Sequence, residues 1–522
     1  MPKACWTCRS RTIRCDASRI PCLKCEKAGL ECVEKKPLRW VNGVAIRGKM
    51  RGQKFGAGTP DSSSSPGSEG GRLAVQCESY AEKGKIVLNE RMSPHGRLMT
   101  SPTPSALLDP CIQGLDWGTR FYVDYYSNQI CKLYILHDSH SNPFRSLLPY
   151  AFGDGLLLKA ISALSARHIA NASQSFDHAS EGVTPQYADA EFEALRSKAQ
   201  AITNLKADLA LPVPCKKDIT LATILLLIFV ELLESGLDGW NFHLKGARGL
   251  GDISQSRIQP VPPGHASTIS GNMAQDVRSF IARQYSIIDT LGSALSRPNA
   301  RLEDFSSCEV IEGQESIVRS FLGCPEFILR SIQFFSNQRH VIAKSSPHDD
   351  KTAIQTYIQD TLTMLELTKT FDSLEWASQF HPSNASSTTE INNLYLLSQA
   401  YKTAALLYGR QVLASTGTYQ KPAETQALLS QLLASINALK GEDSFFKGLL
   451  WPTFVAGLHC LERGQQDLVT DSLRRVWDLT KCLNVISAAD ILRKYWERVR
   501  SSGVKNPWRD GLVELDRHWL LI

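Results

Sequence analysis

Apolar residues at Leu429, Leu432, Leu433, Ile436 and Leu439 fall at i, i+3, i+4, i+7 and i+10, the stripe that one face of a 3.6-residue helix buries. Similar stripes recur near residues 155–171, 393–413 and 465–482, and clean period-two alternation is scarce, so the pattern predicts an all-helical body. The most apolar stretch, residues 219–230, is 12 residues long and ends at Asp218 and Glu231. A bilayer core needs about 20 such residues, so this stretch reads as a buried core helix and no membrane partner is expected. No period of 20 to 50 residues repeats along the chain, which argues against a solenoid.

The pattern breaks twice before the body begins. Residues 56–71 are rich in Gly, Ser and Pro and nearly devoid of apolar side chains, the composition of a flexible linker. Polar, Pro-containing sequence continues to about Pro110, and the aromatic run Phe121-Tyr122-Val123-Asp124-Tyr125-Tyr126 announces the large domain. These shifts place an N-terminal module at residues 1–36, a basic tail and linker at 37–110, and a helical regulatory domain at 111–522.

With 522 residues, 43% hydrophobic and 21% charged, the chain is long enough to bury a large core and close to the globular average. Charge changes the picture more than composition does. Residues 1–54 hold 14 Lys and Arg against 4 Asp and Glu, a net +10, so the remaining residues carry −4 of the chain's formal +6. A short basic segment on a near-neutral body is the footprint of a polyanion-binding module.

Six of the 14 cysteines crowd into the same segment: Cys5, Cys8, Cys15, Cys22, Cys25 and Cys32. They form two consecutive copies of C-x2-C-x6-C. The N-terminus lacks the apolar core of a signal peptide, so a reducing compartment is expected, where clustered thiols favour metal over disulfides. Zinc takes four thiolates in a closed structural site. Six cysteines serve two zinc ions if two thiolates each bridge both metals, and the symmetry of the repeat nominates Cys5 and Cys22 as the bridging pair. A module of this size cannot assemble an apolar core, so the metal must supply its folding free energy.

Basic residues flank the ligands, with Arg9, Arg11 and Arg14 between the second and third cysteines and Lys24 and Lys27 in the second copy. Together with the cysteine spacing and Pro21, these residues make the segment resemble the fungal binuclear zinc cluster DNA-binding domain of the galactose-regulator type. The resemblance implies that all six cysteines ligate zinc and that a short helix after the second cysteine enters the major groove, where the family prefers CGG triplets. Asp16 matches an Asp that commonly follows the family's third cysteine. Thr12 stands where the family's second basic residue reaches a guanine. Its hydroxyl is too short for a base edge that Lys would reach, which leaves base reading to Arg11 or Arg14. Lys24 and Lys27 are assigned to phosphates. Lys35, Lys36 and Arg39 extend the DNA-binding set, and Arg47, Lys49, Arg51 and Lys54 form a tail suited to backbone contact or nuclear import.

Further segments, Leu38-Arg39-Trp40-Val41-Asn42-Gly43, Asn142-Pro143-Phe144-Arg145, Leu164-Ser165-Ala166-Arg167-His168 and Phe242-His243-Leu244-Lys245-Gly246-Ala247-Arg248 among them, resemble the fungal-specific transcription factor regulatory domain of the arginine-metabolism regulator type. That resemblance implies a mainly α chain with no catalytic residues. It makes the protein a nuclear regulator of RNA polymerase II genes, whose partners are double-stranded DNA and the transcription machinery or its co-regulators.

No H-E-x-x-H, G-x-S-x-G or P-loop is present, so an enzyme is not expected. Gly246, Gly249 and Gly251 follow a helical pattern and not the strand a phosphate cradle requires. His168 and His243 read as packed or capping side chains, and the eight later cysteines as small buried apolar residues. Residues 33–71 contain no sustained heptads, so a homodimer would form through the helical body. The same residues admit one other reading, a zinc-stabilised nuclear scaffold that binds nucleic acid without sequence preference.

Overall fold

The computed structural model describes residues 5, 7–8, 11, 13–16, 19, 21–30, 32, 114–177, 187–210, 217–250, 273, 275–295, 322–344, 351–379, 388–416, 421–502 and 517–522. The chain divides into two units, one holding the N-terminal cysteines and the other the body. The linker at 56–71 and the basic residues from Lys35 to Lys54 lie outside the described residues.

The described residues of the first unit include the short helix α1 (Leu23–Lys27). The body is α-helical, and among its described residues the sole extended pairing is a single bridge between Leu237 and Trp519. Its first half runs through α2 (Trp117–Tyr125), α3 (Gly155–Ala172), α4 (Ala188–Leu209), α5 (Lys217–Glu234), α6 (Gly239–Gly249) and α7 (Gln275–Leu295). Its second half runs through α8 (Glu326–Lys344), α9 (Lys351–Thr370), α10 (Ser373–Ser378), α11 (Thr388–Ala414), α12 (Pro422–Ala438), α13 (Leu450–His459), α14 (Arg463–Thr480) and α15 (Leu483–Ser502). The four apolar stripes read from the sequence are α3, α11, α12 and α14.

Helix starts follow familiar chemistry. Asp116, Asp154 and Asp372 each sit in extended backbone at an N-cap and accept hydrogen bonds from first-turn N–H groups of α2, α3 and α10. Pro422 opens α12, where a missing N–H costs nothing.

The apolar stretch at 219–230 lies inside α5 and is buried along its whole length, as a helix packed on several sides must be. α5 packs against α3, α6 and α7, and α3 packs in turn against α4. In the second half α11 receives α8, α9, α10, α12 and α13. No helix among the described residues is long and apolar enough to cross a membrane.

Two close approaches show how tightly the first half is built. The ring of Trp240, fully buried in α6, leaves no space at Gly292 of α7, where an added Cβ would stand 2.3 Å from Cη2. A helix-interior Gly→Ala change ordinarily stabilises by about 1 kcal/mol. Gly292→Ala is expected to reverse that sign and cost about 1–3 kcal/mol through overpacking, read as a lower urea midpoint of unfolding. The second approach involves residues 517–522. Leu520 donates its N–H to Gly236 O at 2.9 Å, His518 O accepts from Asp238 N, and Asn484 Nδ2 reaches Leu520 O. Gly236 has φ +69°, and a Cβ there would lie 2.7 Å from Leu520 O, so this turn needs glycine on both counts.

His168 and His243 are buried, as expected of packed side chains. Tyr125 OH lies 2.8 Å from His168 Nδ1, and burial lowers that imidazole to a pKa of about 4. Gly246 and Gly249 lie within α6 and form no loop. Cys131, Cys324, Cys460 and Cys482, the later cysteines among the described residues, are all buried.

Candidate metal centre and nucleic-acid interface

The six N-terminal cysteines converge. Cys5, Cys8, Cys22 and Cys25 are at most 5% exposed, whereas Cys15 and Cys32 are half-buried. Their sulfurs form two groups of four, Cys5, Cys8, Cys15, Cys22 and Cys5, Cys22, Cys25, Cys32. Every sulfur within a group lies within 4.8 Å of the others, and Cys5 and Cys22 belong to both.

The donor set suits zinc. A tetrahedral zinc with arms of about 2.3 Å holds its sulfurs about 3.8 Å apart. Cys5 Sγ lies 3.8 Å from the sulfurs of both Cys22 and Cys15, and Cys8 Sγ lies 3.6 Å from Cys22 Sγ. Six sulfurs sharing two members supply eight bonds, four for each of two ions. Among the described residues Ile13 packs against the sulfurs as their one non-cysteine apolar cover.

Backbone geometry prepares the shared pair to carry charge. Cys8 N donates to Cys5 Sγ at 3.4 Å, and this bond is the main reason the Cys5 pKa falls below that of an ordinary thiol. The Cys25 backbone N–H does the same for Cys22. Burial acts oppositely on the inner pair, raising Cys8 and pushing Cys25 up to about 12. Thiols that weakly acidic stay protonated at neutral pH, and a bound divalent metal displaces such protons outright.

The spacing of the second copy is closed by local turns. Cys22 sits in extended backbone before α1, and the helix ends at Ala28, with Gly29 at φ +62° and Leu30 N donating to Cys25 O at 3.0 Å. The turn brings Cys32 back to the cluster, where its sulfur accepts from Cys22 N at 3.4 Å. Asp16, known from the sequence only as a position of resemblance, places Oδ2 3.2 Å from Leu23 N. No periodicity or spacing announces this contact, since it joins residues seven apart across a loop.

Around this centre Arg11, Arg14, Lys24 and Lys27 are all exposed, as a surface that meets a polyanion must be. Lys24 and Lys27 lie on α1. Arg9, Thr12, Lys35, Lys36, Arg39, Arg47, Lys49, Arg51 and Lys54 lie outside the described residues. Arg19 of the connecting loop pairs with Glu26 of α1, and both side chains are about half exposed.

Residues 3–41 match the fungal Zn(2)-Cys(6) binuclear cluster domain, and residues 120–522 match the fungal specific transcription factor domain. The chain belongs to the fungal zinc-cluster transcription factor family. Its cofactor is accordingly a pair of zinc ions in the six-cysteine module, and its body is the regulatory domain of a DNA-binding transcription regulator.

The chain is also similar to the acriflavine sensitivity control protein acr-2 of Neurospora crassa, with 22% identity over 91% of this chain and 88% of that protein. No solved structure matches the chain.

Proposed function

We propose that the protein is a zinc-dependent, sequence-specific regulator of RNA polymerase II genes that acts in the nucleus of a fungus and reads CGG-like triplets in the major groove. The observation that carries this reading is the pair of four-sulfur groups sharing Cys5 and Cys22, set in a strongly basic segment.

In this reading Cys5, Cys8, Cys15 and Cys22 hold one zinc, and Cys5, Cys22, Cys25 and Cys32 hold the other. The metals supply fixed charge and a rigid frame. The protein's own side chains do the recognising. Arg9, Arg11 and Arg14 enter or flank the groove around Thr12. Lys24, Lys27, Lys35, Lys36 and Arg39 meet phosphates, and Arg47, Lys49, Arg51 and Lys54 serve backbone contact or import. Residues 1–36 form the module and 37–110 the tether. Residues 111–522 form the regulatory body, which meets the transcription machinery or co-regulators and provides any dimer interface. The likeness to the Neurospora crassa protein suggests that the regulated genes bear on sensitivity to acriflavine.

A salt titration tests the arginine roles. On duplexes bearing CGG triplets, each lost phosphate contact lowers the log-log salt slope by about 0.9, whereas loss of a base contact costs about 1–3 kcal/mol at one base pair and relaxes the preference there. Arg14→Ala and Arg11→Ala are each expected to show one of these signatures. Unchanged affinity, slope and sequence preference in both variants would remove these residues from the interface.

A further inference from the structure

We infer that Asp16 is a positioning residue of the zinc cluster, capping the helix that presents Cys25 and thereby holding the second group of sulfurs in place. This rests on the reading of the six cysteines as ligands of two zinc ions. The N-cap of a helix is normally a Ser, Thr, Asp or Asn whose side chain accepts a first-turn N–H. The N-cap of α1 is Cys22, whose sulfur is approached by the Cys25 N–H but leaves the Leu23 N–H without an acceptor of the helix's own. Its sulfur belongs to both four-sulfur groups and is committed to metal. The missing acceptor comes from outside the helix, as Asp16 Oδ2 takes the Leu23 N–H at 3.2 Å. A carboxylate is also the side chain that the positive end of a helix favours.

The connectivity gives this cap its consequence. Asp16 follows Cys15, an outer sulfur of the first group, while the backbone it holds runs directly into Cys22 and Cys25. One side chain therefore joins a ligand of the first group to the helix that carries the second. Arg19, from the same loop, pairs with Glu26 within α1 and holds the helix a second time, although an exposed pair contributes little by itself. The arrangement is not repeated by the pseudo-symmetry, because the residue after Cys32 is Val33, which has no side-chain acceptor.

The test uses the zinc-loaded full-length chain, Asp16→Ala and Asp16→Asn. Zinc content is counted by elemental analysis, and release into a chromogenic chelator is followed with time. The parent is expected to hold two zinc ions. In Asp16→Ala one of the two should leave about tenfold faster, the scale on which loss of a supporting contact weakens a metal site. Asp16→Asn, whose amide oxygen accepts the same N–H, should release zinc at the parent's rate. Cadmium-113 resonances of the exchanged protein should show one of two signals displaced in Asp16→Ala alone.

Parent-like release from Asp16→Ala would overturn the inference. Equal acceleration of both ions would overturn it as well, and so would an Asp16→Asn variant as fast as Asp16→Ala. A parent that holds other than two zinc ions would instead overturn the metal reading beneath it.

Discussion

Removing zinc is expected to abolish DNA binding while leaving the helical body folded. Four of the six cysteines in residues 5–32 are buried, but among the described residues the only non-cysteine apolar side chain packed on them is Ile13. So little burial cannot offset the entropy of ordering the loop. Metal binding has to supply the difference, and structural zinc provides about 10–16 kcal/mol of apparent free energy in such small modules. The body forms a separate unit with its own core and needs none of it. Addition of a strong chelator to the full-length chain should therefore eliminate the shift of a DNA duplex in a gel, while the far-ultraviolet helical signal persists. Serine substitutions refine the expectation. Cys5→Ser and Cys22→Ser, which strike sulfurs common to both groups, should each cost both ions. Cys15→Ser or Cys32→Ser should weaken one. Retention of full zinc content by Cys5→Ser would contradict the shared-sulfur arrangement.

The second large effect is expected in the body, at Lys198 of α4. Its ammonium lies 2.7 Å from Glu231 and 2.6 Å from Glu234, both on α5, and the Lys198 and Glu231 side chains are only 16% and 12% exposed. His243 Nε2 approaches Glu231 from α6 at 3.5 Å. Gly239 at the start of α6 leaves room for the Glu231 carboxylate, which an added Cβ would meet at 2.0 Å. Burial alone would raise the Glu231 pKa; the Lys198 charge, with the His243 contact, outweighs burial and holds it down at about 2. Glu231 thus contributes stability that is fully present above its unfolded pKa of about 4.3. That contribution is lost as the pH falls through about 2. Lys198→Met leaves two carboxylates in a largely dry site without their cation, a change that costs about 3–5 kcal/mol in buried pairs. A clear fall in the urea midpoint is expected at pH 7, with part of the loss restored by adding Glu231→Gln. Zinc content should not change. An unaltered midpoint would mean that the three helices are held together without this cluster.

These two predictions differ in how far the sequence foretold them. The cysteine spacing was enough to nominate two zinc sites and their shared pair, because ligand chemistry fixes how many sulfurs each ion needs and the repeat fixes which are equivalent. The stripe from Leu429 to Leu439 likewise announced its helix, and the uniformly apolar run at 219–230 announced a helix buried on all sides. Periodicity states which face of a helix is buried but never what it is buried against. Nothing in the chain pattern pairs Lys198 with Glu231 or sets Gly292 under Trp240. Such contacts arise only when helices distant in sequence choose their crossing positions. The capping contact of Asp16 escaped for a related reason: an N-cap is sought at the residue before a helix, and here metal has claimed that residue.

The most direct test of the function is an in vitro selection from randomised duplex DNA with the zinc-loaded full-length protein at physiological salt. Enrichment of a defined motif containing CGG-like triplets is expected, with one triplet indicating binding as a monomer and two at fixed spacing giving the geometry of a dimer. Salt-sensitive binding that enriches no sequence would contradict specific regulation and leave a zinc-stabilised protein that holds nucleic acid by charge alone.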